Sequence, residues 1–346
     1  MTMRKLFGYT LACFAFIVLG AYALWTDLPT DSHYLSDLRS EVALNQGLPG
    51  ANGNLLGIQP EMFSGDYHST DLLRLKLAAY LHKARDEGLL NGKTVAVLPE
   101  HIGTWLLISG EKAEVYQAHS INNAMTWLAA SNPLKLSRAL LLAKGENRLQ
   151  DALLRMKSAD MARDYQQVFG GLAKDFGITL VAGSIVLPEP RVEAGQLVVG
   201  DGPLYNVSLA FGSDGIPLGQ PQGKVYLTGA EQGFSATAAV NNLHALDTPA
   251  GRLGVLIGAD SEQPDSYAQL RKHDAQLLVV PAFVAGTSDS SQPWQPLNGA
   301  QVAMRVFLRG QLWDLCTSGH SSLINGPALG VVPEGGHGGR LLNIWL

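Results

Sequence analysis

The chain has 346 residues, 46% of them hydrophobic and 16% charged, enough to bury one large core or two modest ones. Its 25 basic and 30 acidic residues give a formal charge of -5, and no basic run carries interleaved aromatics, so the broad cationic surface that a nucleic acid needs is excluded. Two cysteines, Cys13 and Cys316, exclude a disulfide framework and a cysteine-built metal site, and the nine histidines show no HxH or HExxH spacing, so neither a metal nor a cofactor is expected.

The N-terminus comes first. Arg4 and Lys5 precede the uncharged run LFGYTLACFAFIVLGAYALW, residues 6–25, which matches the ~20 residues with which a helix crosses a bilayer. The run ends in Ala21-Tyr22-Ala23, an A-x-A pattern that also suits a cleaved signal peptide. Residues 1–27 are therefore expected to be a membrane anchor or a signal peptide. With the positive residues kept inside, either reading puts the remaining chain on the extracytoplasmic side, tethered to the cytoplasmic membrane by a single pass or secreted after cleavage. Residues 28–53 are polar and punctuated by Pro29 and Pro49, which predicts a linker, and residues 54–346 a folded domain.

Within that domain NLLGIQ, residues 54–59, reads as a buried strand, residues 71–87 carry Leu72, Leu75 and Ala79 at helical spacing, and TVAVL, residues 94–98, is a second strand stopping at Pro99-Glu100. Strand, helix and strand in that order predict a crossover unit and an α/β fold. Residues 101–157, rich in Leu, Ala and Met, predict a helical excursion with its apolar faces in the core. A helix is expected near 162–176, strands at 178–183, 196–199, 205–211, 253–257 and 276–280, a turn at Ser213-Asp214-Gly215 and a helix at 266–273.

Six segments then fall into a familiar order: VLPE (97–100), FGITLVAGSI (176–185), LYNVSLAFGSDG (204–215), GKVYLT (223–228) with Glu231 after it, RLGVLIGADSEQPDSY (252–267) and AQLLVVPA (275–282). The series resembles the nitrilase, or carbon-nitrogen hydrolase, superfamily from about residue 54 onward. The resemblance implies a four-layer α-β-β-α sandwich, a homodimer or larger assembly, and a Glu-Lys-Cys triad that cleaves amide or nitrile bonds through a covalent thioester-type intermediate. By motif, Glu100 matches the general base, Lys224 the lysine and Glu231 an additional glutamate beside the triad. The nucleophile belongs in the pattern GVLIC-aromatic-D. Here that reads Gly254-Val255-Leu256-Ile257-Gly258-Ala259-Asp260, so the position of the attacking thiol falls on Gly258.

Glycine offers no atom that a base can deprotonate, and this departure divides the functional reading. The first reading is a membrane-tethered, catalytically impaired protein that binds a small amide, carboxylate or acyl ligand or acts as an interaction module. The alternative is an active amidase, or an enzyme similar to apolipoprotein N-acyltransferase, that uses activated water or an unusual nucleophile. Glu100 and Lys224 also suit a purely structural ion pair, and Glu231 a solvated loop acid. Ser261, three residues after Gly258, is expected to point away from the site, Cys316 to be a buried structural cysteine, and Asn206, within an Asn-Val-Ser sequon, to be buried in a strand.

Overall fold

A computed structural model describes residues 3–27, 34–144, 147–285, 302–333 and 335–346. The predicted crossover unit is present: the strands Asn54–Gln59 and Thr94–Val97 pair in parallel, joined by the helix Thr70–Asp86. Ser69 starts that helix by accepting a hydrogen bond from Leu72 N through its side chain, and Lys83 and Arg85 lie in its last turn, where the helix dipole favours cations. These two strands belong to a six-stranded sheet whose order is Ser40–Gln46, Gly339–Trp345, Asn54–Gln59, Thr94–Val97, Thr179–Val181 and Ala210–Phe211.

The edge strand Ser40–Gln46 corrects the sequence reading, in which residues 28–53 were wholly linker. It runs parallel to Gly339–Trp345, from Ser40 opposite Gly339 to Gln46 opposite Ile344. Its partner lies almost 300 residues away in sequence, and local composition carries no information about a pairing of that range.

A second six-stranded sheet follows the order Ala245–Thr248, Gly251–Val255, Leu277–Ala282, Val302–Phe307, Ser322–Asn325 and Ala328–Val331. Leu55, Val95, Val97 and Val181 from the first sheet share one buried cluster with Leu253, Val255, Val279, Met304 and Val306 from the second. Gly57 lets the two approach, since a Cβ there would lie 2.8 Å from Met304 Sδ. The alternate residues of the first sheet, Leu56, Ile58, Ala96 and Leu180, pack instead with Leu73, Leu77, Phe169 and Leu172. On the second sheet Leu256, Leu278 and Val280 pack with Tyr267 and Leu270 of the helix Pro264–Lys272. The central strands Asn54–Gln59, Thr94–Val97 and Leu277–Ala282 are thus buried on both faces, which explains why they read as continuous apolar runs.

The excursion after Thr94–Val97 is helical as expected, comprising Ala113–Tyr116, Ile121–Ser131, Pro133–Leu142 and Arg148–Tyr165. Arg148–Tyr165 buries Leu153, Leu154, Met161 and Tyr165 in the core, whereas Trp127, Leu134, Leu141, Leu142 and Leu149 are exposed, contrary to the expectation that the apolar faces lie inside. Cys316 is a second correction. It sits opposite Gln311 in the hairpin Arg309–Leu312 and Leu315–Ser318, on a strand face turned to solvent, and is exposed, not buried.

Candidate active site

Four of the structural elements converge on one polar cluster. The strand Thr94–Val97 delivers Glu100 through Pro99, and the chain turns sharply at once: His101 has φ 61°, a left-handed conformation uncommon for a residue with a side chain, held by its N–H donating to Ser184 Oγ at 2.8 Å. A small antiparallel sheet, ordered Gln222–Gly223, Leu204–Ser208 and Ile185–Pro188, supplies Asn206 and places Lys224 just past its edge. Lys224 N donates to Asn206 O at 2.8 Å. The next two N–H groups, of Val225 and Tyr226, donate to Asp260 Oδ1 at 3.0 and 2.7 Å, so the turn Gly258–Glu262 grips the Lys224 segment from below.

The side chains then meet. Lys224 Nζ donates to Glu100 Oε1 at 2.7 Å and to Glu231 Oε2 at 2.6 Å. Asn206 Nδ2 donates to Glu100 Oε1 and Glu231 Oε1, each at 2.9 Å. Glu231 Oε2 also accepts from Thr228 N and Thr228 Oγ1. All four side chains are buried, which removes the alternative of Glu231 as a solvated loop acid. The other carboxylate oxygen of Glu100, Oε2, accepts no hydrogen bond from the described residues and faces Gly258, where a Cβ would lie 2.6 Å from it and 3.3 Å from Lys224 Nζ. Gly258 has φ +50°, a conformation that costs glycine nothing and a side-chain-bearing residue free energy. Ser261 turns away as expected: its hydroxyl donates to Gly258 O at 2.7 Å.

The electrostatics follow from burial against pairing. Burial alone would lower the Lys224 pKa, but the charges of Glu100 and Glu231 and their hydrogen bonds outweigh it, so the ammonium is held above its ordinary value. Burial works the other way on Glu231, yet its interactions with His101 and Lys224 keep its carboxyl well below the usual range. Asp260 is fully buried and has only backbone donors and a distant Lys224 in compensation, and its pKa is pushed up to about 7.

The sequence reading did not single out His101, Asn206 as a site residue, or Asp260. His101 Nε2 lies 3.5 Å from Glu231 Oε1 and 3.8 Å from Glu100 Oε1, and its ring stands edge-on to Phe283. Adjacency to Glu100 was its one available signal, since a residue beside a strand-end acid shares its turn. Glu100, His101 and Glu231 offer ligand atoms within 4.8 Å of one another, a donor set a divalent cation can use. The facing Oε1 atoms already accept from Asn206, and the cluster holds its own cation, Lys224, on both carboxylates; an added metal would have to displace one or the other. Chemically, the arrangement can hold a carbonyl or carboxylate oxygen near the ammonium and a proton donor near Glu100 Oε2.

The structure resembles solved amidases over nearly its whole length. A cysteine-to-serine variant of the amidase from Nesterenkonia sp. AN1, described as from the nitrilase superfamily, is 19% identical and aligns over 87% of this chain and 93% of its own with a TM-score of 0.54. The same enzyme's cysteine-to-alanine variant in complex with butyramide aligns over 85% of this chain and 91% of its own, at 19% identity and a TM-score of 0.51. The fold is nitrilase-like. In sequence, a deaminated glutathione amidase from Dictyostelium discoideum is 43% identical over 62 residues, 18% of this chain, so the match spans about a fifth (21%) of that relative's length. No family model matches the sequence. Within the nitrilase-like fold, the residues that the motif order singled out, Glu100, Lys224, Glu231 and Gly258, stand together in space.

Proposed function

We propose that this chain is a membrane-anchored protein of the nitrilase superfamily that binds a small amide or carboxylic acid derivative without forming a covalent acyl intermediate. One observation carries the reading: the residue standing beside Glu100 and Lys224 is Gly258, which has no side chain, with Glu100 Oε2 turned onto it. In this reading Gly258 stands at the superfamily's nucleophile position, Glu100 and Glu231 keep the roles of acid residues around Lys224, and Lys224 receives the ligand's carbonyl or carboxylate oxygen. The shared core of the two sheets, with helices on their outer faces, supports the α-β-β-α layering of that superfamily. The exposed apolar helix Met3–Asp27 supports the anchor, a single pass with the domain outside, and the expected homodimer is carried forward as part of the proposal.

A second reading rests on the unbonded Glu100 Oε2. A water held there is positioned for Glu100 to take its proton while Lys224 polarises a bound amide carbonyl, which gives direct hydrolysis without a thiol. Both are tested by incubating the full chain with simple amides while following ammonia release, intact mass and ligand binding by calorimetry. Binding without turnover supports the first reading. Slow turnover that disappears in Glu100→Gln supports the second. A burst of product with an acyl adduct in the mass spectrum overturns both.

A further inference from the structure

We infer that the outward faces of the helices Ile121–Ser131 and Pro133–Leu142 form a second membrane contact, lying on the lipid surface beside the N-terminal helix. The inference rests on the reading of that helix as an anchor and adds to it an orientation of the domain. Residues Phe7–Thr26 form a span of 20 residues with a mean hydropathy of 1.9, none of it buried in the protein. The end of that helix docks on the excursion. The Tyr22 hydroxyl donates to Ala130 O, Trp25 Nε1 donates to Glu114 Oε1 at 3.3 Å, the Trp25 and Trp127 rings lie 6.2 Å apart, and Lys112 Nζ stands 5.8 Å over the Trp25 ring. Trp and Tyr at the end of a span, with a lysine beside them, mark the level of the headgroups. Trp127 is therefore fixed at that level by contact.

Beyond Trp127 the exposed residues of the excursion include leucines and bases. Trp127 is 42% exposed, and it is followed by Leu134 at 75%, Leu141 at 85%, Leu142 at 48% and Leu149 at 51%. On Pro133–Leu142, Leu134, Arg138 and Leu141 recur at i, i+4 and i+7 and so share one face, while Ala139 is turned inward and buried. Residues 133–149 hold Lys135, Arg138, Lys144 and Arg148 against one acid, Glu146. Lys135 is engaged by Asp160 at 3.7 Å and Arg148 donates to Leu140 O at 2.9 Å, while Arg138 and Lys144 are exposed to anionic headgroups. Leu134, Arg138 and Leu141 on one exposed helix face, on a helix packed beside the one that the apolar N-terminal helix touches, are the features of a helix that lies in the interfacial plane with its leucines in the acyl boundary. A tether alone would leave the domain free to tumble; two contacts hold it in one orientation over the bilayer.

The test uses the full chain in lipid vesicles containing anionic lipid, with an environment-sensitive fluorophore on one cysteine at a time. Leu141→Cys reports the proposed surface and Ile216→Cys, 52% exposed in the Ser213–Gly215 turn region, serves as the solvent reference, both in a Cys13→Ser/Cys316→Ser background. Cys13 itself, in the Cys316→Ser chain, reports the anchor. Nitroxide-labelled lipid is expected to quench the Leu141 probe about twofold or more beyond the Ile216 probe, at a shallow depth, and to quench Cys13 more deeply. Equal quenching at 141 and 216 with a deeply quenched Cys13 overturns the surface and leaves the anchor standing. An unquenched Cys13 removes the anchor and the surface with it. A 141 probe shielded from aqueous iodide yet untouched by lipid nitroxide also overturns the proposal, because the face is then covered by protein.

Discussion

The Asp66–Lys76 pair and the Glu100–Lys224–Glu231 cluster are buried to a similar degree, but their hydrogen-bonding capacity is used differently. Asp66 Oδ2 accepts from Lys76 Nζ at 2.7 Å and from Phe63 N at 2.8 Å, and Asp66 Oδ1 accepts from Ser36 Oγ at 2.6 Å. Both carboxylate oxygens are bonded, and the pair ties the helix Thr70–Asp86 to the turn before it. In the second cluster Glu100 Oε1 has two donors while Oε2 has none among the described residues and rests against a glycine. A buried acceptor without a donor costs free energy, and one such acceptor in this cluster is Asn206 Oδ1, a feature that stability alone does not select. The same chain thus contains one buried ion pair whose carboxylate oxygens are both bonded and another in which Glu100 Oε2 has no donor among the described residues.

Breaking the Asp66–Lys76 pair should have the largest effect. Lys76→Ala leaves Asp66 charged, buried and without a cation, and is expected to cost about 3–5 kcal/mol in urea unfolding, whereas Lys76→Met with Asp66→Leu should recover most of that. A single-variant loss below about 1 kcal/mol would place the pair among those that contribute little.

Asp260, which holds the backbone of the Lys224 segment, sharpens the comparison through pH. Its folded pKa, about 7 against an ordinary 3.8, means the folded protein binds this proton more tightly than the unfolded chain. Its contribution to stability is therefore fully present below about pH 3.8 and is lost as pH rises to about 7, by an amount on the order of a few kcal/mol. Asp260→Asn should flatten the stability curve between about pH 4 and 7 relative to the parent, and parallel curves for the two proteins would refute the assignment. Glu231, whose pKa is depressed, acts oppositely: its contribution is present above the ordinary carboxylate pKa of 4.5 and falls in more acidic solution, so the comparison is read on the neutral side of that value.

A smaller effect is expected at Gly258 itself. Gly258→Ala places a side chain at φ +50° and 2.6 Å from Glu100 Oε2, and should cost about 1–3 kcal/mol, part of it returned where Glu100 can swing aside. An alanine variant as stable as the parent would show that the niche over Gly258 is already wide. The smallest effect belongs to Cys316→Ser: at an exposed strand position it should change the free energy of unfolding in urea by no more than about 0.5 kcal/mol, whereas a buried structural cysteine would cost several times that.

What was legible in the sequence had local causes. Continuous apolar runs gave the strands Asn54–Gln59, Thr94–Val97 and Leu277–Ala282, helical periodicity gave Thr70–Asp86, and the motif order pointed to Glu100, Lys224, Glu231 and Gly258. The sequence could not distinguish a buried acid from a solvated one at Glu231, because both sit in loops of similar composition. It misread Cys316 because in a short hairpin burial depends on which strand face meets the core, and a shift of one residue reverses it.

The sequence by itself determined the strand-helix-strand unit of residues 54–98, the apolar N-terminal helix and the side-chain chemistry of the candidate site residues, since these follow from hydrophobic pattern and side-chain type within short windows. Only the tertiary structure decided that Ser40–Gln46 closes a sheet with the C-terminal strand, that His101 and Asn206 face the two glutamates, that Glu100 Oε2 points at Gly258, and that Leu134, Leu141, Leu142 and Leu149 of the excursion are exposed. Each of these is a contact between segments far apart along the chain, and such contacts are fixed by the packing of whole faces, which no short stretch of residues encodes.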